Sequence, residues 1–321
     1  MFDYIFILFN IKIFLIYYMN NEERIKYYMG DLYDAKSIKS NEVESILEIS
    51  KLNKLSYEDY IKCNQKYDHY TKKLFNFIKV INRTKKINLY IGDNSIGKDC
   101  HKNINDCLIK NRIVGLNKRT ILLKCLNEER HWSFTKQVLD KDIEFNLKKD
   151  KCIWRGVATG IHRSDDIPNR KKLVTTYYNN KKFDIGYTSL LFYKDQLDEK
   201  FLKSKMTLDQ QLKNKFIISV EGNDVASGLK WQLLSNSVVL MPKPRCVSWL
   251  MEDKLEPGYH YILLKDDFSD LEEKYNWCLN NLEVCKKISQ NATSYMQMFL
   301  DDDNENKIQI ELIKRYMQKI D

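Results

Sequence analysis

Hydrophobic positions along this chain repeat with two different periods, and each change of period marks an element. The pattern is clearest in residues 215–244, KFIISVEGNDVASGLKWQLLSNSVVLMPKP. Phe216, Ile217, Ile218, Ser219 and Val220 form a short, β-branched apolar run suited to a buried strand. Glu221, Gly222, Asn223 and Asp224 supply turn residues and a helix cap. Val225, Ala226, Leu229 and Leu233 then recur at helical spacing as far as Leu234. A second apolar run, 238–241, reads as the next strand, and Pro242 and Pro244 stop it. A strand–helix–strand unit of this length predicts a parallel sheet.

The rest of the chain continues in the same manner. Tyr70, Leu74, Phe75, Phe77, Ile78 and Ile81 share one face of a helix over 67–81. Residues 87–91 and 121–123 read as short strands, the first ending at Gly92-Asp93-Asn94-Ser95. A loop and strand follow over 183–190, and Thr207 caps another helix. A strand is expected around 259–264, then a helix begun by a Ser269/Glu272 capping box. Helices over 282–299 and 304–319 close the chain, with Asp301, Asp302 and Asp303 as the acidic start of the last. Residues 1–18 are apolar but interrupted by Asp3, Asn10 and Lys12. They read as a buried strand or as an extension upstream of initiation at Met19 in preference to a membrane anchor, and no later run is long and apolar enough to span a bilayer.

A length of 321 residues with 43% hydrophobic content supports a large core in two lobes and excludes wholesale disorder. The net charge of +9 is spread among interspersed acids, leaving no basic stripe for nucleic acid. Anionic small molecules and sugar nucleotides suit this balance. Eight cysteines without a C-x-x-C pair argue against zinc and suit the reduced thiols of the cytoplasm. Asp140-Lys141-Asp142 matches a metal-binding D-x-D in form, but its charged surroundings read as a solvated face, so no metal site is assigned.

Candidate chemistry gathers where the elements turn. Ligands of parallel sheets bind beyond the carboxyl ends of the strands, where helix N–H groups attract phosphate. Gly222 lets a ligand approach there and Lys230 adds charge, although a βαβ unit without a ligand has the same pattern. Asp93, at a strand mouth, suits either a catalytic acid or a turn. The segment Trp154-Arg155-Gly156, with Thr159, Gly160 and Arg163, suits a loop that wraps an anion, and His162 suits either an acid–base group or a surface residue. Arg130 and His131 are further cleft candidates.

The motifs W-R-G-x-x-T-G, E-G-N-D-V-A-S-G-L-K-W, S-N-S-V-V-L-M, S-W-L-M-E and P-G-Y-H-Y-I-L-L-K-D-D-F-S-D-L resemble glycosyltransferase family 90 in order from about 151 to 290. The resemblance is weaker over 86–135, and residues 1–60 match nothing. It implies an α/β, GT-B type fold, two Rossmann-like lobes with a cleft between them and C-terminal helices. The lobes would span 20–150 on the acceptor side and 151–300 on the nucleotide-sugar side, after an extension at 1–19 and before a last helix at 301–321. The implied enzyme is inverting and metal-independent, and moves glucose or xylose from a UDP-sugar to a hydroxyl of a glycan, lipid-linked saccharide or protein. A non-catalytic nucleotide-sugar or glycan-binding protein of the same fold is the alternative. The resemblance makes Asp93 the base. It matches Arg163, and Asn223, Asp224, Val225, Ala226, Ser227 and Gly228, to the family's donor contacts. With the loop and strand-end residues read above, the expected donor site also includes Arg155, Gly156, Thr159, Glu221, Gly222 and Lys230. Two departures stand out: Val157 replaces a serine, and Gly228 lies where the family carries an arginine.

Overall fold

The computed structural model describes residues 19–38, 46–48, 68–81, 86–91, 104–116, 118–126, 128–132, 134–160, 170–191 and 193–320. The chain divides into two compact units, one of residues 1–92, 100–129 and 297–321, the other of residues 93–99 and 130–296.

The first unit holds a four-stranded sheet. Strand β1 (Ile46–Glu48) runs antiparallel to β2 (Lys86–Tyr90), which is parallel to β3 (Cys107–Ile109). After β4 (Asn111–Ile113), β5 (Thr120–Leu122) pairs in parallel with β3. Helix α1 (Asn21–Met29) starts at a complete Asn20/Glu23 capping box, and α2 (Asp68–Ile81) buries Leu74, Phe75, Phe77 and Ile78. The unit also buries a cluster of three charges around Glu305. Arg24 lies 2.6 Å and Lys124 3.3 Å from Glu305, all nearly inaccessible to solvent. Burial lowers the pKa of Lys124, and Glu305 opposes that shift.

The second unit is built on five parallel strands in the order β7–β6–β8–β9–β11: β6 (Lys149–Val157), β7 (Phe183–Ser189), β8 (Asn214–Ile218), β9 (Val238–Met241) and β11 (Ile262–Leu263). Strand β10 (Cys246–Ser248) lies between the last two in sequence. Alternation along the strands gives the sheet two apolar faces. Cys152, Trp154, Phe216, Ile218, Val238 and Leu240 join one core with residues of α3 (Arg170–Tyr177), α6 (Leu271–Asn280) and α7 (Leu282–Gln297). Ile153, Ile217, Val239 and Met241 are buried on the other face, where α4 (Leu208–Leu212) packs on β8 and α5 (Leu229–Leu234) on β9. Helix α8 (Asp302–Lys319), capped by Asp301, ends the chain in the first unit.

Local expectations hold where one segment's own chemistry decides them and fail where a distant partner intervenes. Thr207 caps α4 through a full capping box with Gln210. Helix α5, by contrast, begins at Leu229 and not at Val225. The Asn223 side chain that would have capped it accepts instead from the Gly160 N–H, 3.1 Å away. The Ser269/Glu272 box is likewise absent: α6 starts after Asp270, and the Glu272 carboxylate takes Lys182 and Asn180. Asp140 is exposed, but Asp142 is not part of a solvated face. Its carboxylate pairs with the buried Lys148 and accepts the Asn236 N–H at 2.5 Å. Among the described residues no group of acids, histidines or cysteines is arranged to hold a metal, and no helix is long and apolar enough to cross a membrane. Residues 1–18, and any reading placed on them, lie outside the described residues.

Candidate functional site

With the strands taken in chain order, the second sheet runs second, first, third, fourth, fifth. Its direction of winding reverses between β6 and β8. In sheets of this order, ligands bind at the carboxyl ends of the two strands flanking that reversal, because the outgoing loops diverge there and leave a crevice. An open pocket of about 410 Å³ occupies this position. Its walls include Trp154 to Val157 at the end of β6, Ile218 to Val220 at the end of β8, and Ala226 to Gly228 before α5. Arg170, Lys205 and Trp231 complete much of the rest. The lining contains three cations, Arg155, Arg170 and Lys205, and no carboxylate. An anion entering it would meet no like charge from the wall itself.

Arg170 organises the crevice. Its Nη1 donates to the Val157 carbonyl at 3.0 Å and to Thr159 Oγ1 at 2.8 Å, and its Nη2 donates to the Val220 carbonyl at 3.0 Å. The guanidinium lies over the Trp154 ring, 5.7 Å from the centroid. One side chain thus ties the loops leaving β6 and β8 together. Gly222 fits against it: a Cβ there would sit 2.8 Å from Thr159 Oγ1 and 3.0 Å from Arg170 Nη2. Gly160 adopts a left-handed φ of 75°, open to glycine at little cost, and presents its N–H to Asn223. Thr159, Gly160, Gly222 and Asn223, separated by more than sixty residues, meet as one cradle.

The other expected contacts take several positions. Gly156, Val157, Ala226, Ser227 and Gly228 line the pocket, and β6 shifts register against β7 between Gly156 and Val157. Arg155 also lines it, but its N–H groups go to the carbonyls of Trp154, Asp184 and Ser204 and to the Asp184 carboxylate at 2.8 Å. Arg155 fixes β6 to its neighbours and is not an open anion ligand. Glu221 points across the sheet edge, accepting the N–H groups of Arg245 and Cys246 at 3.1 and 2.9 Å. Asp224 closes the turn through its carbonyl, 3.1 Å from the Gly222 N–H, and Val225 is buried.

Lys230 departs furthest from expectation. It does not face the crevice: its side chain is fully buried, with Nζ 3.0 Å from Glu252 Oε1. The buried Glu252 carboxylate, which needs a counter-charge, holds this ammonium inside. His131 is buried as well, and its carbonyl accepts from Thr135 Oγ1. Asp93, His162 and Arg163 lie outside the described residues, as does the Arg130 side chain.

Periodicity alone overlooked Arg170, Lys205 and Trp231. No local signal marks Arg170, whose partners are the Val157 and Val220 carbonyls and the Thr159 hydroxyl.

A parallel α/β unit with a cationic, carboxylate-free crevice at its winding reversal has the charge and position that suit an anionic small molecule. Residues 128–321 match the model of glycosyl transferase family 90. The chain belongs to that family. O-glucosyltransferase LpsA of Dichelobacter nodosus is 30% identical over 213 residues, 66% of this chain and 62% of LpsA. Uncharacterized protein 179R of Invertebrate iridescent virus 6 is 28% identical over 54% of this chain and 14% of its own length. Protein O-glucosyltransferase 3 of Homo sapiens is 25% identical over 54% of this chain and 32% of that protein. The chain therefore spans less than two thirds of the length of each of these relatives.

Proposed function

We propose that this protein is a glycosyltransferase of the O-glucosyltransferase kind, taking a sugar from a UDP-sugar bound in the crevice of the second unit. The crevice at the β6/β8 reversal carries this reading, because its cations and absence of carboxylates suit a diphosphate. In the proposed GT-B arrangement the acceptor is a hydroxyl of a glycan, lipid-linked saccharide or protein. Asp93 takes the proton of that hydroxyl as its oxygen attacks the anomeric carbon, inverting it. The bond from that carbon to the diphosphate oxygen breaks, and the electron pair leaves with UDP. Arg170, Lys205 and Arg163 stabilise the departing charge, which makes the reaction independent of a metal ion. The engagement of Asp142 with Lys148 and Asn236 supports this, since the formal D-x-D then lacks its second free acid.

Titration of UDP into the purified chain by calorimetry tests the donor site. One charge-assisted hydrogen bond is worth roughly 1.5–3 kcal/mol, so Arg170→Ala should weaken UDP binding about tenfold to a hundredfold. Equal UDP affinity in parent and variant, both shown to be folded by circular dichroism, would contradict this site.

A further inference from the structure

A second groove of about 650 Å³ adjoins the crevice, and the two share Arg155, Lys205 and Met206. It lies between the first residues of β6 and the segment leading into β8. Its cations are Lys149, Lys151, Arg155, Lys205 and Lys213, against two carboxylates, Asp150 and Asp184. Both carboxylates already have cationic partners. Asp150 pairs with Lys215 at 2.6 Å, and Asp184 pairs with Arg155 at 2.8 Å and Lys203 at 2.9 Å. Burial raises the pKa of Asp184, but the hydrogen bonds from Lys203 and Arg155 outweigh it and keep the acid ionised.

That leaves lysines without an acidic partner. Lys149, Lys205 and Lys213 are exposed, and their side chains make no ion pair or hydrogen bond among the described residues. The Lys149 N–H donates to the Lys213 carbonyl at 2.8 Å, so the two lysines come from adjacent segments of the groove wall. Cations gathered in one wall without counter-charges favour an anion among them. The lining has no aromatic ring on which a base could stack, which disfavours a nucleic acid as the occupant.

We infer that this groove is a saccharide subsite for an anionic stretch of the acceptor, one bearing phosphate, sulfate or carboxylate groups. The inference rests on the donor reading of the adjoining crevice. A ligand extending past Arg155, Lys205 and Met206 would enter a wall selective for negative charge, and a neutral glycan would find little to hold it.

A sulfated heparin-derived tetrasaccharide serves as the probe, with neutral maltotetraose and oligothymidylate as comparisons. Affinities are measured by calorimetry on the full chain and on Lys149→Ser/Lys213→Ser, two positions that line the groove and not the crevice. The expected result is salt-sensitive binding of the sulfated probe, no binding of maltotetraose, and a loss of about tenfold in the double variant, with UDP affinity unchanged. No binding of the probe, or equal binding by parent and variant, overturns the subsite. Oligothymidylate binding as tightly, with the same loss in the variant, overturns its saccharide character. If UDP binds neither protein while the probe behaves as expected, the donor reading and the link to an acceptor fail, and the groove stands as a separate anionic-saccharide site.

Discussion

Replacing Lys230 by methionine separates two incompatible roles for this side chain. In the structure its Nζ lies 3.0 Å from Glu252 Oε1, and neither side chain is more than 1% exposed. Glu252 also accepts the Ser248 N–H at 2.6 Å and the Ser248 hydroxyl at 2.7 Å, while Lys230 lies 5.9 Å from the centre of the Trp249 ring. Breaking a buried ion pair from one side costs about 3–5 kcal/mol, because the remaining charge stays desolvated. Lys230→Met leaves a carboxylate still held by two Ser248 donors, so its cost should fall near 3 kcal/mol. Glu252→Gln leaves the ammonium a neutral amide oxygen in place of its counter-charge, and should approach 5 kcal/mol. For a unit of this size, each kcal/mol moves the melting temperature by about 2–4 °C, giving losses of roughly 6–20 °C. The double variant Lys230→Met/Glu252→Gln should cost clearly less than the sum of the two. Thermal melts followed by near-ultraviolet circular dichroism, with UDP titrations on the same samples, read both quantities. Lys230→Met melting within about 2 °C of the parent, with UDP binding more than tenfold weaker, would refute the structural role and return Lys230 to the donor.

Gly222→Ala would push a methyl group against Thr159 Oγ1 and Arg170 Nη2. UDP affinity should drop at least about tenfold through displaced Arg170 bonds, and unchanged affinity by calorimetry would show that the cradle tolerates the shift. Burial holds His260 at a pKa of about 4, and its Nδ1 accepts the Glu256 N–H at 2.9 Å, a bond that protonation removes. The unfolded chain takes up that proton near pH 6.5, so stability should fall between about pH 6.5 and 4 by up to roughly 1.4 kcal/mol per pH unit. Urea midpoints of parent and His260→Gln should converge as pH falls through this window, and a constant gap between them would contradict the assignment. Asp93→Asn should leave UDP binding intact and lower turnover by roughly a hundredfold or more. Near-normal turnover would place the base elsewhere.

What was legible in the chain depended on how far each residue's partner lies along it. The apolar runs of β8 and β9, the face of α2 and the Thr207 cap are decided within a few residues, and they appear as expected. The resemblance also named Thr159, Gly222 and Asn223, which the fold brings together. Long-range pairings were not readable. Asn223 left its helix for Gly160, 63 residues away. Lys230 turned inward to an acid 22 residues further on, and Asp142 found Asn236 across 94. Arg170 carries no periodic signature, because its partners are backbone carbonyls of two other loops.

The most direct test of the glycosyltransferase reading is sugar transfer itself. The purified chain is incubated in EDTA with UDP-glucose or UDP-xylose and a panel of glycan, lipid-linked saccharide and peptide acceptors, and both released UDP and product mass are measured. The account predicts an acceptor that gains one sugar for each UDP released, at a rate that added magnesium or manganese does not change. Tight UDP binding without transfer to any acceptor or to water would mark a binding protein, and transfer only with a divalent metal would contradict the metal-independent mechanism.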